Sequence, residues 1–397
     1  MNDTRLTIGH ATHVDWRVAC ELALAQLGGE AAPVGRRLAQ GRVARSSGSR
    51  RHGLVYVSLA LAEHFDRIVA MLSAHRPDVL WAGACVPGVL AGQGEYLDEP
   101  AIALLAGDLR FEARDLVLGS AFETDRTAGV LILADPRCTA LREALAAAYQ
   151  RLGTEAVFGG VVADAAHLAG DPHPTGGSAR AIALSHPAQA WSRATLGTRP
   201  IARPRLITSI RNRHLETLDH RPALEVLLED LGVATTRARF DDPASLVAAI
   251  RAAIPAQGML MGILPAAGTP RRPGVVDQRL CHLIGIEPSA RLVAIDETAI
   301  PGEQLVLLGL DAAAARTDLI RVCTELRDEL EASGQKARLI HYVSCVARGR
   351  SLFGSSGVET ALIAHNFGEL PLIGFFAHGE IGQGRLRGYS AILTAIV

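Results

Sequence analysis

The chain has 397 residues, 49% of them hydrophobic, with 40 Lys and Arg side chains against 41 Asp and Glu. This length and composition are enough for two packed domains. A formal net charge of -1 argues against nucleic acid or an anionic membrane as a partner. Lys336 is the only lysine, so a P-loop phosphate site and Schiff-base catalysis by lysine are excluded.

The six cysteines are scattered along the chain without a Cys-x-x-Cys pair. Such a pattern indicates neither a zinc site nor a disulfide framework. The sequence does not open with a basic stretch followed by an apolar run, and no window approaches the roughly 20 apolar residues that cross a bilayer. We therefore expect a cytoplasmic protein with reduced thiols and no membrane partner.

Strand-like and helical patterns alternate along the chain, and three segments repeat one another. The first has a strand at 54–58, a helix at about 62–74, a strand at 78–83, a glycine-rich loop at 87–94 and an apolar run at 101–106. The second has a strand at 130–134, a helix at about 138–151, and strands at 156–160 and 179–184. Proline and glycine are then dense up to residue 204, which predicts a linker at about 170–204.

Beyond the linker, the pattern predicts strands at 206–208, 259–264, 291–295 and 304–308, and helices at about 222–231, 242–254 and 311–332. The third segment follows, with strands at 339–344, 371–376 and 389–396, a helix at about 358–366 and a glycine-rich loop at 379–384. Its opening strand shares Tyr-Val-Ser with the first segment, and both loops contain Gly-Gln-Gly. The third segment carries five extra, arginine-rich residues between strand and helix.

A unit of strand, helix, strand, loop and strand predicts parallel pairing across the helix and an antiparallel return after the loop. The expected fold class is therefore α/β (mixed α+β), with two pseudo-repeated modules of mixed β-sheets covered by helices. We place these modules at residues 1–190 and 205–397 and the linker between them.

The strongest candidate site is the loop that follows the third opening strand, where open sheets place ligands. Arg348 and Arg350 flank Gly349 there, and two guanidinium groups this close suit a carboxylate or phosphate. We expect Ser355 or Ser356 to cap the next helix and its free N–H groups to favour an anion. The alternative is that one arginine pairs with Glu359 in an exposed loop.

A second candidate is the loop with His378, Gly379 and Glu380, which offers a titrating group, a close backbone approach and an acceptor. If the two preceding strands are neighbours, this loop and the arginine loop line one pocket. The alternative is that the glycines serve tight turns and that Glu380 pairs with Arg348 or Arg350.

The run from His341 to Gly354, with the run from Pro371 to Ile381, resembles the C-terminal module of FIST domain proteins. Trp81-Ala82-Gly83-Ala84-Cys85 and the loop to Gly94 resemble their N-terminal module. Together the modules would cover nearly the whole chain. The resemblance implies a bacterial-type intracellular sensory domain that binds a small ligand, with amino acids proposed, in signal transduction. No signalling module fits outside the two, so we expect a stand-alone sensor whose output passes through a separate signalling protein.

Two alternative functions stay open at this point. The family has a haem-binding, nitric oxide sensing branch, for which His378, His341 or Cys345 would have to bind the iron. An enzyme using Cys85, Cys345 or His378 would need a general base beside an activated thiol. Our expectation is a non-enzymatic small-molecule sensor without a cofactor, and the sequence does not determine its oligomeric state.

Overall fold

The structure is a computed structural model that describes residues 6–28, 51–109, 111–115, 127–163, 166–168, 179–185, 188–234, 240–255, 258–269 and 277–397. The chain forms two compact units, of which unit 1 comprises Met1–Thr195 with Leu319–Val397 and unit 2 comprises Leu196–Asp318. These units do not coincide with the modules expected at 1–190 and 205–397. The described part of the expected linker at 170–204 forms strands, and the chain returns to unit 1 only in the long helix near residue 319.

Helices and short strands alternate along the chain. The first elements are β1 (Thr7–Thr12), α1 (Trp16–Gln26), β2 (Arg51–Ser58), a 3-10 turn (Leu59–His64), α2 (Phe65–His75), β3 (Val79–Val86), β4 (Gly88–Ala91), β5 (Gly94–Leu97), β6 (Ala101–Gly107), β7 (Phe111–Asp115), β8 (Thr127–Ala134), α3 (Leu141–Leu152), β9 (Val157–Val161), β10 (Ala166–Leu168), β11 (Ala179–Ser185) and β12 (Ala190–Leu196). Those of unit 2 are β13 (Thr198–Pro200), β14 (Arg205–Arg211), β15 (His214–Leu218), β16 (Arg221–Pro222), α4 (Ala223–Asp230), α5 (Pro243–Ala253), β17 (Met259–Leu264), β18 (Arg279–Cys281), β19 (Leu283–Glu287), β20 (Leu292–Ile295) and β21 (Gln304–Leu310). The last are α6 (Ala312–Ala332), β22 (Leu339–Cys345), α7 (Gly349–Phe353), α8 (Val358–Phe367), β23 (Leu372–Ala377), β24 (Glu380–Gly382), β25 (Arg385–Arg387) and β26 (Ser390–Ile396).

Unit 1 contains three repeats of one topology. Repeat 1 runs from β1 to β6, repeat 2 from β7 to β11, and repeat 3 consists of β12 and the elements from α6 to β26. In each, a central strand pairs parallel with the strand after its helix and antiparallel with the last strand: β2 with β3 and β6, β8 with β9 and β11, β22 with β23 and β26. The predicted topology of mixed sheets is confirmed, because a helix crossover joins parallel strands and a tight loop reverses the chain.

The repeats exchange strands in a ring. The strand that follows each parallel pair joins the sheet of another repeat: β4 pairs with β23, β24 pairs with β9, and β10 pairs with β3. Each of the three sheets therefore contains hydrogen-bonded strands from two repeats. This exchange explains why residues 319–397 belong to the same compact unit as residues 1–195.

A glycine marks the same place in all three repeats. A Cβ at Gly83 would lie 1.7 Å from the carbonyl oxygen of Val55, and a Cβ at Gly374 would lie 1.7 Å from that of Tyr342. Gly159 in β9 is in the same position against β8. No side chain fits at such a distance, so the close approach of the two parallel strands requires glycine.

These glycines correct the alignment expected from the shared Tyr-Val-Ser. Gly83 is opposite Val55, whereas Gly374 is opposite Tyr342, so the counterpart of Tyr342 is Val55 and not Tyr56. From Val55 to Gly83 is 28 residues and from Tyr342 to Gly374 is 32, which makes the third repeat four residues longer rather than five. Successive strand residues point to opposite faces, so Tyr56 and Tyr342 face different sides of their sheets.

One face of each sheet packs on helices, α1 and α2 in repeat 1, α3 in repeat 2, and α6 and α8 in repeat 3. The other faces meet in an aromatic cluster that includes a side chain from every repeat. Its ring centroids are 4.9 Å apart for Tyr56 and Phe375 and 5.3 Å apart for Phe158 and His341. The small aliphatic residues that dominate the composition fill the helix-covered faces.

Unit 2 is inserted in the sequence of repeat 3, after β12. Its strand β17 lies between β18 and β21 and pairs antiparallel with both, while β14 pairs with β21 and β15. The helices α4 and α5 pack against this sheet around a core that includes Leu224, Leu246 and Met261. Among the residues that the structure describes, no helix is long and apolar enough to cross a membrane.

Candidate functional site

Four ionisable side chains are buried near one another in unit 1, and we call Glu95, Arg348, Glu359 and Glu380 the ionic cluster. Their exposed fractions are 5% for Glu95, 1% for Arg348 and 0% for the other two. Repeat 3 contributes three of them, at the turn after β22, in the first turn of α8 and at the start of β24. Glu95 comes from β5 of repeat 1, and the β4–β5 hairpin joins the sheet of repeat 3. The strand exchange therefore assembles the cluster.

The arginine and Glu359 form the centre of the cluster. Arg348 Nε donates to Glu359 Oε1 at 2.8 Å, and Nη2 lies 2.7 Å from the same oxygen. Tyr342 Oη donates to Oε1 at 2.7 Å and Ser344 Oγ donates to Oε2 at 2.8 Å. Burial by itself would lower the pKa of Arg348, but the Glu359 carboxylate outweighs it and the pKa is raised. A buried pair with this many hydrogen bonds offsets much of its desolvation cost.

Glu95 caps the helix α8 from a distant part of the chain. Its Oε1 accepts from the backbone N–H groups of Glu359, at 2.8 Å, and Thr360, at 3.0 Å. A carboxylate at this position satisfies two of the free N–H groups of the first turn. Burial raises the pKa of Glu95, the Glu359 carboxylate adds to the rise, and the backbone hydrogen bonds oppose it.

The predicted cap by Ser355 or Ser356 is wrong. Both serines are exposed, and the N-cap residue is Gly357, at φ +82°, without a side-chain hydrogen bond. A residue in the left-handed region is best a glycine, and glycine has no side chain with which to cap. Glu95 takes over that function.

Glu380 is a buried carboxyl group with few hydrogen bonds. Its Oε2 accepts from Ser390 N at 3.2 Å and Ser390 Oγ at 2.7 Å. Burial raises the pKa of Glu380 to about 8 despite these hydrogen bonds, so the group is mostly protonated at neutral pH. Cys345 lies beside it: burial raises the pKa of this thiol to about 12, and Glu380 adds to the rise.

Arg348 Nη2 is held only by its ion pair with Glu359 Oε1, at 2.7 Å. Three other polar atoms of the cluster have no hydrogen-bond partner among the described residues: Arg348 Nη1, Glu95 Oε2 and Glu380 Oε1. Buried polar atoms nearly always have a partner in a folded protein, and an exception requires an explanation. One of the three is a cationic donor and two are carboxyl oxygens. The set is therefore complementary to a molecule that presents both a carboxylate and an ammonium group.

The structure brings together only part of the predicted site. Arg348 and Glu380 are close enough for each charge to affect the pKa of the other, whereas Arg350 and His378 are exposed. Of the expected alternative, the pairing of one arginine with Glu359 is confirmed, but the pair is buried and does not lie in an exposed loop. Within the arginine-rich insertion, the ring centroid of Phe353 in the short helix α7 lies 5.7 Å from Arg348 Cζ.

The two glycines of the predicted site, Gly349 and Gly379, have structural roles in the backbone. Gly349 is buried at φ +49°, and a Cβ there would lie 3.0 Å from the ring of Phe376. The backbone of His378 and Gly379 pairs with Val161 of β9, since the His378 N–H donates to the Val161 oxygen and the Val161 N–H donates to the Gly379 oxygen. This bend carries the chain from one sheet to the next.

Sequence reasoning missed Glu95, Tyr342 and Ser344. Glu95 is separated by 264 residues from the helix it caps, and only its place directly after Gly-Gln-Gly sets it apart in the sequence. Tyr342 and Ser344 belong to the shared Tyr-Val-Ser, which stands out as a repeat signal rather than as a pair of hydroxyl donors.

The residues do not fit a haem. His341 is fully buried, with Nε2 2.7 Å from Tyr56 Oη and with Phe158 and Phe375 against its ring, so it has no open face for a macrocycle. Cys345 Sγ accepts from the Tyr389 N–H, and the other candidate, His378, lies at the surface. Within the described ranges, no group of three His, Cys, Asp or Glu residues is arranged to hold a metal ion.

Comparison with known proteins identifies two domains. The FIST N domain matches residues 51–221 and the FIST C domain matches residues 223–383. An uncharacterized protein of Mycobacterium tuberculosis is 29% identical over 367 residues, which cover 86% of this chain and 90% of that protein. An uncharacterized protein of Mycobacterium bovis is 28% identical over 365 residues with the same coverage. The border between the two matched domains falls inside unit 2.

Proposed function

The chain belongs to the FIST domain family, and from that premise we propose that it is a sensory protein that binds a zwitterionic metabolite, such as an amino acid, at the ionic cluster. FIST domains are associated with sensory, small-ligand-binding roles. The observation that carries the proposal is the set of three unpartnered atoms, Arg348 Nη1, Glu95 Oε2 and Glu380 Oε1.

The charges of the cluster suit an amino acid. Arg348 Nη1 donates to the ligand carboxylate, a charge-assisted hydrogen bond that is stronger than a neutral one. The ammonium group lies against Glu95 and Glu380. Because the pKa of Glu380 is about 8 without the ligand, a bound ammonium lowers it and binding at neutral pH releases a proton.

Access to the buried cluster requires a local opening. The segment from Gly349 to Gly357 follows Arg348, and Gly349, Gly354 and Gly357 all have positive φ. Residues 354–356 are exposed, so this part can move with little loss of buried apolar contact, whereas an opening at Arg348 also has to displace the buried ring of Phe353. A change in this segment on ligand binding is the signal that a separate partner protein receives. The six free thiols suit the reducing cytoplasm as the place of action.

Calorimetry with a panel of amino acids and simple carboxylates tests the proposal. Glu380→Gln keeps the shape and the neutral state of this side chain, so the variant folds. It should bind the amino acid roughly tenfold to a hundredfold more weakly, the effect of a lost charge-assisted hydrogen bond. The matched control is Arg350→Gln in the exposed part of the arginine loop, which should bind like the wild type.

A double variant removes the arginine without leaving a buried charge alone. Arg348→Met combined with Glu359→Gln replaces both members of the pair by neutral side chains of similar size, a change that folded proteins tolerate. Carboxylate binding should be lost while the unfolding temperature shows that the fold is kept. If Glu380→Gln or the folded double variant bound the amino acid with wild-type affinity, the ionic cluster would not be the ligand site.

A further inference from the structure

A cavity of about 300 Å³ lies at the other end of the helix α8. Its walls include Ile8 of β1, Ile340 of β22 and the side chains of Ile363 and Phe367 on α8. None of the four residues of the ionic cluster lines it. Glu359 occupies the first turn of the same helix, so the cavity and the cluster are separate sites at opposite ends of one element.

The walls of the cavity are mainly apolar. Aliphatic side chains, an aromatic ring and backbone of the turn before β23 form most of the lining. The volume corresponds to roughly ten water molecules at ~30 Å³ each, and therefore to a ligand of about ten heavy atoms. Pockets that bind small molecules have this size and this predominance of apolar lining.

The charge at this cavity is negative. Glu369 is the one ionisable side chain among the described residues that line it; it is exposed and forms no ion pair in the described part of the chain. The helix α8 ends here at Phe367, with Gly368 as its C-cap residue, so its last carbonyl groups, which carry partial negative charge, lie at the same end. Arg327 already binds one of them, the Asn366 oxygen, but does not line the cavity.

From this arrangement we infer that the cavity is a second ligand site, which takes a small molecule with an apolar body and a cationic amine at one end. The apolar body fills the space between Ile8, Ile340 and Phe367. The ammonium group remains at the exposed end beside Glu369, where it keeps part of its hydration. A carboxylate in the same place would be repelled by the negative charge of Glu369.

Three probes that share a phenethyl group test the inference: phenethylamine, phenethyl alcohol and 3-phenylpropionate. Each is titrated calorimetrically on the whole chain that carries Arg348→Met and Glu359→Gln, in which the ionic cluster no longer binds a carboxylate. The amine should bind most tightly, the alcohol more weakly and the carboxylate weakest. Glu369→Gln should weaken binding of the amine roughly twofold to fivefold, as expected for a partly exposed ion pair. Binding of the alcohol should not change. Glu331→Gln, at another exposed glutamate that does not line the cavity, is the matched control.

A filling variant tests the cavity itself. Ala364 lines it from α8, whereas Ala361 on the same helix is exposed and does not. Ala364→Phe should weaken amine binding at least tenfold, and Ala361→Phe should not change it. Equal binding of amine and carboxylate, or unchanged binding in a folded Ala364→Phe protein, would overturn the inference. Glu380→Gln should leave amine binding intact, so failure of one site is distinguishable from failure of the other.

Discussion

The buried contact between His341 and Tyr56 predicts that unit 1 is sensitive to acid. Both side chains are fully buried, and Tyr56 Oη lies 2.7 Å from His341 Nε2. Because the surroundings of the imidazole are aromatic, burial lowers its pKa to about 3, from 6.5 for the free side chain. The histidine is therefore neutral in the folded protein at any pH above about 3.

The size of the effect follows from the two pKa values. Between pH 6.5 and pH 3 the unfolded chain binds a proton at His341 that the folded chain does not. The free energy of unfolding therefore falls as the pH drops below 6.5, by about 1.4 kcal/mol for each pH unit from this group. At pH 5 the loss amounts to about 2 kcal/mol, a large part of the stability of an ordinary domain.

The perturbation is the double variant Tyr56→Phe with His341→Phe. It removes the titrating group together with the hydroxyl, whose burial without a partner would cost about 1–3 kcal/mol in the single histidine variant. Urea unfolding at pH 7.5, 6 and 5 is followed by tryptophan fluorescence. All three tryptophans lie in unit 1, so the signal reports the unfolding of that unit.

As the pH falls from 7.5 to 5, the wild type should lose about 2 kcal/mol of unfolding free energy that the double variant keeps. The stability difference between the two proteins should therefore shift by this amount in favour of the double variant. Tyr56→Phe alone serves as the control, because it leaves the imidazole buried and should keep the acid sensitivity of the wild type. The same stability difference between wild type and double variant at all three pH values would refute the reasoning.

Three further predictions concern the cluster and the repeats. Amino-acid affinity should rise from pH 6 to pH 8, by at most about tenfold per pH unit, because the ammonium group requires ionised Glu380, whose pKa is about 8. Calorimetric titrations at several pH values check this rise, and the affinity of Glu380→Gln should not change with pH. Glu95→Ala should destabilise the fold by about 1–3 kcal/mol in chemical unfolding, since two N–H groups of α8 lose their acceptor; an unchanged midpoint contradicts the capping role. Gly374→Ala should prevent or severely weaken folding, as seen by circular dichroism, whereas Gly388→Ala, where a Cβ meets nothing within 4 Å, should be harmless.

Much of the fold was predictable because it depends on local patterns. The three repeated segments, the helix crossovers and the antiparallel returns follow from periodicity and turn residues, and the structure confirms them. The register of the Tyr-Val-Ser match was not predictable in this way. Identical letters aligned Tyr56 with Tyr342, but the close approach at Gly83 and Gly374 aligns Val55 with Tyr342.

The candidate site was predictable only where its residues follow neighbouring strands. Arg348 and Glu380 follow β22 and β23, which are adjacent and parallel, so their approach follows from local topology. The cap of α8 depended on Glu95, which arrives through the exchanged hairpin β4–β5. A sequence pattern around the helix start favoured Ser355 and Ser356 instead, because capping preferences describe local chain and not distant carboxylates.

The sequence by itself determined the repeating unit, the mixed pairing within it and the two loops that contribute Arg348 and Glu380. Only the tertiary structure decided which residues of those loops turn inward, and that residues 319–397 complete the unit begun by residues 1–195. The physical reason is the cyclic exchange of strands, in which β4, β10 and β24 each satisfy their backbone hydrogen bonds in the sheet of another repeat. Such long-range pairings bury Glu95 beside Glu359, and no local preference encodes them.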